Sequence, residues 1–83
     1  MPSTVVNPQD TRSFDARQQG YSVKVSKTQW NHVVRFIAMD SRGTIIAEGT
    51  VPVGVLDREF LVHQNVGFNI ANVGGWDMQV SWP

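Results

Sequence analysis

The stretch "VVRFIAMDSRGTIIAE", residues 33–48, decides the fold class of this chain. Its first half is apolar on both faces of an extended backbone, with Val34, Phe36 and Ala38 on one face and Val33, Ile37 and Met39 on the other. The tetrapeptide "DSRG" that follows favours a tight reversal, because Asp40 and Ser41 suit a type I turn and Gly43 tolerates a positive φ. We therefore predict a β-hairpin of residues 33–39 and 44–48. Its first strand should be central in a sheet, since it is apolar on both faces.

The same alternation of apolar and polar residues continues on either side of this hairpin. It is visible in "YSVKVSK" (21–27), "LDREFLVH" (56–63), "VGFNIANV" (66–73) and "WDMQVSW" (76–82). Turn residues separate these segments, and Pro52 must lie at an edge, a bulge or a strand end because it cannot donate to a ladder. The pattern predicts an all-β fold, a small β-sandwich or partly open barrel of five to six mostly antiparallel strands. We expect residues 21–83 to form its single β domain.

The first twenty residues have a different composition. "MPSTVVNPQDTRSFDARQQG" is rich in polar and charged side chains, and its apolar content is limited to Val5, Val6 and Phe14, apart from the initial Met, two prolines and an alanine. Such a segment buries too little apolar surface to offset the entropy lost on ordering. We expect residues 1–20 to be an extended N-terminal arm that binds a neighbouring molecule.

Charge and composition limit the classes of partner. Seven basic and seven acidic residues give a formal net charge of +0, so the chain lacks the basic surface that nucleic-acid backbones and anionic membranes attract. The sequence contains no cysteine, so neither disulfides nor a thiolate metal site can support the fold. The N-terminus lacks the features of a secretory signal. We expect synthesis in the cytoplasm without a signal peptide, and no binding to nucleic acid or membrane.

No motif points to catalysis, a metal or a cofactor. His32 and His63 are the two histidines, the residue type most often used in proton transfer and metal binding, and they do not share a metal-ligand spacing. The glycines of "NVGGWD" and "VGVLDREF" lack the lysine and the helix start of a phosphate-binding loop. Phe68 and Tyr21 could stack on single-stranded bases, but that function needs a basic groove. The sequence predicts a protein that is not an enzyme, with no cofactor and no metal.

The tryptophans allow two functional interpretations. Trp30, Trp76 and Trp82 are residue types enriched in protein interfaces. Together with nearby Asn and Asp side chains, they could equally stack on a sugar and hydrogen-bond to it. The segment "QWNHVV" (29–34) resembles the W-x-H-V strand of laminin-G-like sandwich domains. A small carbohydrate-binding module is therefore the alternative function.

The combination of a polar arm, a small β body and no catalytic chemistry resembles minor virion proteins of tailed bacteriophages, such as capsid decoration or cement proteins. The resemblance is one of architecture and composition. It implies a structural protein that assembles as a homo-oligomer or binds a larger protein lattice such as a capsid, and it places the protein in the virion. The expected interface residues are Val5, Val6, Phe14, Trp30, Trp76 and Trp82.

Overall fold

The computed structural model of the chain describes residues 2–83, which form eight β-strands in two sheets. In chain order the strands are β1 (Ser3–Val6), β2 (Thr11–Phe14), β3 (Tyr21–Lys27), β4 (Val34–Asp40), β5 (Ile45–Val51), β6 (Asp57–Val62), β7 (Phe68–Asn72) and β8 (Met78–Ser81). One sheet has the order β1-β8-β3-β6 and the other β2-β7-β4-β5. All neighbouring strands are antiparallel.

The strand order follows from one nested hairpin. β4 pairs with β5, β3 with β6, β2 with β7 and β1 with β8, so the chain is folded back on itself around the central β4–β5 turn. Pairings of β3 with β8 and of β4 with β7 then join these hairpin layers into two four-stranded sheets. Eight strands connected in this way define the jelly-roll form of the β-sandwich.

The predicted hairpin at the centre of this arrangement is confirmed. β4 lies between β7 and β5, as expected for a strand that is apolar on both faces. In the turn, the Gly43 amide donates to the Asp40 carbonyl at 3.0 Å, and Gly43 has a φ of +83°. The Asp40 carboxylate accepts bonds from the amides of Arg42 and Thr44. A bulge between Ala38 and Met39 shifts the pairing with β5.

The core lies between the two sheets and consists of the residues that alternate inward along each strand. It contains Val6, Tyr21, Val23, Val25, Val34, Phe36, Ala38, Val51, Val62, Phe68, Ile70, Met78 and Val80. Aromatic rings connect the two sheets within it: Phe60 of β6 packs against Phe68 of β7 and against Phe36 of β4, each at a centroid distance of 5.9 Å. Buried valines dominate, and their branched side chains suit a pleated surface.

The predicted strand count of five to six is wrong, because eight strands are present. Two of the additional strands, β1 and β2, come from the segment expected to be an extended arm. Each lies at one edge of its sheet, β1 paired with β8 and β2 paired with β7. Both are only four residues long, and each places one apolar side chain against the core, Val6 in β1 and Phe14 in β2. Alternation over so few residues is too weak a signal to identify a strand.

The described residues contain no helix, and hence no helix able to cross a membrane.

Candidate functional site

The two ends of the sandwich carry different loops. At one end lie the connections 7–10, 28–33, 52–56 and 73–77, which we call the loop end. At the opposite end lie the connections 15–20, 41–44 and 63–67, together with Pro2 and residues 82–83. The strand order places the four connections of the loop end side by side, in the order 7–10, 73–77, 28–33 and 52–56.

The loop end is the apolar end. Ten large apolar side chains of the described residues are exposed, and six of them belong to its four connections: Trp30, Val53, Val55, Leu56, Val73 and Trp76. The other four lie within strands, so none occupies a connection at the opposite end. Scattered exposed apolar residues are normal on a protein surface, whereas their concentration on one face indicates a binding surface.

Asn72 holds the backbone of the loop end in place. Its side chain is 1% exposed, and its Nδ2 donates to the carbonyls of Val6 at 2.9 Å and Trp76 at 2.7 Å. Its Oδ1 accepts a bond from the Gly74 amide at 3.0 Å. The Asn72 backbone also exchanges bonds with the 7–10 connection, through the Gln9 amide and the Asp10 carbonyl. One buried amide therefore fixes two neighbouring loops.

A second buried polar group connects the other pair of loops. Lys27, at the end of β3, is almost completely buried, and its ammonium group donates to the carbonyl of Pro52. A buried cation needs such a partner, because desolvation without one is costly. This bond joins the start of the 28–33 connection to the start of the 52–56 connection.

Trp76 is packed face to face against His32. The two rings are 3.8 Å apart between centroids, with an interplanar angle of 12°. Trp76 is nevertheless 50% exposed, so the stack leaves part of the indole open to a ligand. Trp30, in the same connection as His32, is 59% exposed.

The structure places the six predicted interface residues in four settings. Trp30 and Trp76 are exposed at the loop end, and Val5 is exposed on the outer face of β1. Val6 is a buried core residue and presents almost no surface to a partner.

Phe14 and Trp82 meet at the opposite end. Their rings form an edge-to-face pair with centroids 4.9 Å apart, and both residues are half-buried against the core. Phe14 also stacks on Phe68 at 4.8 Å. Trp82 is thus packed within its own chain, and its amide donates to the Pro2 carbonyl at 3.1 Å.

The titratable residues do not converge. His32 lies at the loop end and His63 at the opposite end, so the two histidines do not share a site. The part of the chain that the structure describes holds no group of three or more His, Asp or Glu residues arranged to bind a metal ion. The one ion pair found among residues 2–83 joins Lys24 and Glu59 on the strand surface at 3.7 Å.

Sequence reasoning missed the apolar 52–56 connection. The signal was present in "VPVGVL", residues 51–56, where an apolar run continues beyond Pro52 although the strand must end there. Apolar residues in a turn have no core to enter, so Val53, Val55 and Leu56 remain exposed.

A comparison of this chain with models of known protein families gives no match, and a comparison with curated proteins gives none either.

Proposed function

We propose that this chain is a non-enzymatic structural protein that self-associates through its loop end, as one of many copies in a larger assembly. The observation that carries the proposal is the concentration of six exposed large apolar side chains in the four connections of that end. Burying them against a second copy removes apolar surface from water at about 25 cal/mol per Å². The formal net charge of +0 means that two copies do not repel each other.

The size of the loop end favours many weak contacts over one strong contact. The molecule measures 36 × 24 × 17 Å, and the lengths of its strands assign the longest dimension to the strand direction. A seven-residue strand spans about 24 Å before the loops are added, whereas four strands side by side span about 19 Å. The end face therefore projects roughly 400 Å², about half of the ~800 Å² per partner in a stable interface. Such a contact is effective when it is repeated across a lattice.

The finer proposal is that this assembly is a phage virion, in which the chain decorates or cements a capsid. Its supports are the jelly-roll architecture, which recurs in viral capsid domains, and the lack of catalytic chemistry in the sequence. Both are analogies at the level of fold and composition. A partner-binding role for residues 1–20 would require β1 and β2 to leave their present pairings.

Sedimentation velocity over protein concentrations from about 10 μM to about 1 mM tests self-association. The wild-type chain should show a mass that rises with concentration. A double variant, Val53→Ser with Leu56→Ser, should stay monomeric, because each residue is 61% exposed and contributes only to the loop end surface.

Leu61→Ser is the matched control, since Leu61 is 58% exposed but lies on the outer face of β6. It should associate as the wild type does. A wild-type chain that is monomeric at every concentration, or a control that loses association equally, would refute the proposal.

A further inference from the structure

The indole ring of Trp76 is held in place by contacts within its own chain. The His32 ring supports one side of the indole at 3.8 Å, and the Trp76 carbonyl is held by the Asn72 side chain at 2.7 Å. A rigid indole loses little conformational entropy when a ligand packs on it. Its remaining exposed surface opens into a cleft of about 400 Å³.

The cleft combines this apolar surface with a few polar groups. It is lined by Gln9, Val33, Arg35, Val73, Gly74, Gly75 and Trp76. A size in the range of about 300–1,000 Å³ and a small number of placed polar groups are typical of small-molecule sites. Arg35 is the one charged side chain in this lining, and no carboxylate of residues 2–83 lies within 4.0 Å of it. The charge of the cleft therefore favours an anionic ligand.

Gln9 occupies a position where glycine would be expected. The Asp10 amide donates to the Asn7 carbonyl at 3.0 Å, with Pro8 second and Gln9 third in the turn, and Gln9 has a φ of 70°. This is the pattern of a type II turn, which usually has glycine at the third position. A side chain held in this conformation costs about 1–2 kcal/mol, and such strain is concentrated at ligand sites. This turn places Gln9 in the lining of the cleft.

We propose that this cleft binds an acidic saccharide, a sugar carrying a carboxylate such as a uronic acid. The sugar ring packs its C–H face on Trp76, and its carboxylate pairs with the Arg35 guanidinium, whose planar fork matches a carboxylate. The Gln9 amide and the backbone of Gly74 and Gly75 hydrogen-bond to the hydroxyls. This activity goes beyond the proposed self-association, whose surface it overlaps at Val73 and Trp76 and not at Val53 and Leu56.

NMR titration with a trimer of galacturonic acid and a matched trimer of galactose tests the proposal. The chain has three tryptophans, so each indole N–H gives its own signal. The acidic trimer should shift the Trp76 signal and bind at least about tenfold more tightly than the neutral one, a difference of ~1.4 kcal/mol. Arg35→Gln should remove this preference, and Trp76→Ala should abolish binding of both trimers.

Three control variants separate the cleft from the rest of the surface. Trp30→Ala removes the other exposed tryptophan of the loop end, and Arg42→Gln removes an exposed arginine at the opposite end. Both should bind the acidic trimer as the wild type does, and so should the Val53→Ser/Leu56→Ser variant.

Equal binding of the two trimers would overturn the proposal. So would a shift of the Trp76 signal that an unrelated acidic peptide produces as strongly. Failure of galacturonic, glucuronic and mannuronic acid trimers to shift this signal at about 10 mM would overturn it as well.

Discussion

Replacing Asn72 by alanine should destabilise the fold more than any other single change of a polar side chain. The variant leaves three backbone groups without their partner: the Val6 carbonyl, the Trp76 carbonyl and the Gly74 amide. An unsatisfied buried group costs about 1–3 kcal/mol. The Val6 carbonyl bears the full cost because its bond is buried, whereas water can partly replace the other two.

The sum is about 3–5 kcal/mol, against a total stability of roughly 4–12 kcal/mol for a domain of this length. Since about 1 kcal/mol changes the melting temperature of such a domain by about 6 °C, the variant should melt about 20–30 °C lower. Tryptophan fluorescence during thermal or urea unfolding measures this directly, because Trp76 lies in the loop that Asn72 holds.

Asn69→Ala is the matched control. Asn69 is on the same strand but is exposed, and its side chain accepts a single bond from the Ser13 hydroxyl at 2.7 Å. Its loss should cost less than about 0.5 kcal/mol. If Asn72→Ala destabilised the protein no more than this control, the buried amide would not be what fixes the two loops, and the argument for a preformed loop end would fail.

Three further predictions concern stability. Phe14 and Trp82 should show a coupling free energy of about 0.5–1.5 kcal/mol in a double-mutant cycle with leucine, measured by urea unfolding, because their rings form an edge-to-face pair; additive effects would contradict this. Burial raises the pKa of Tyr21 above its ordinary value of 10.0, against the opposing charge of Arg17. The folded chain therefore holds the phenolic proton more tightly than the unfolded chain does. The contribution of Tyr21 to stability is fully present below the ordinary tyrosine pKa and is lost as the pH rises through the folded pKa. Tyr21→Phe, which removes a buried hydroxyl lacking a partner in the described residues, should cost nothing at about pH 8 and should lessen the loss of stability between about pH 8 and pH 11. Gln9→Gly should raise the free energy of unfolding by about 0.5–1 kcal/mol, because glycine adopts the positive φ without strain. A variant no more stable than the wild type would show that the turn is not strained.

The long strands of this fold were predictable from the sequence because their alternation extends over enough residues. In β3, Tyr21, Val23 and Val25 are all buried as their pattern indicated, and the β4–β5 turn forms at "DSRG". The short edge strands were not predictable, because their stability comes from hydrogen bonds to β7 and β8, more than fifty residues away in sequence.

The candidate site was only partly predictable for a related reason. Trp30 and Trp76 were identified by residue type, and both are exposed at the loop end. The residues that surround Trp76 could not be predicted, because the cleft brings Gln9, Arg35 and Trp76 together from three separate segments. Trp82 was selected by residue type like the other two tryptophans. It packs on Phe14 instead, because it follows β8 at the opposite end of the sandwich. Side-chain type alone does not specify the end of a sandwich on which a residue lies.

The nested pairing of the strands has a consequence for how the chain is made. β8 lies between β1 and β3, so β1 has no partner until residues 78–81 have been synthesised. The β4–β5 hairpin can form early. Until β8 has been synthesised, however, one sheet lacks an inner strand and part of the valine core remains exposed to solvent. We therefore expect the sandwich to complete its folding only after β8 has been made, and to fold slowly for a domain of this size, because most contacts join distant segments. Shortening the chain at β8 would remove an inner strand and expose two unpaired edges, whereas shortening it at β1 would remove only an outer one.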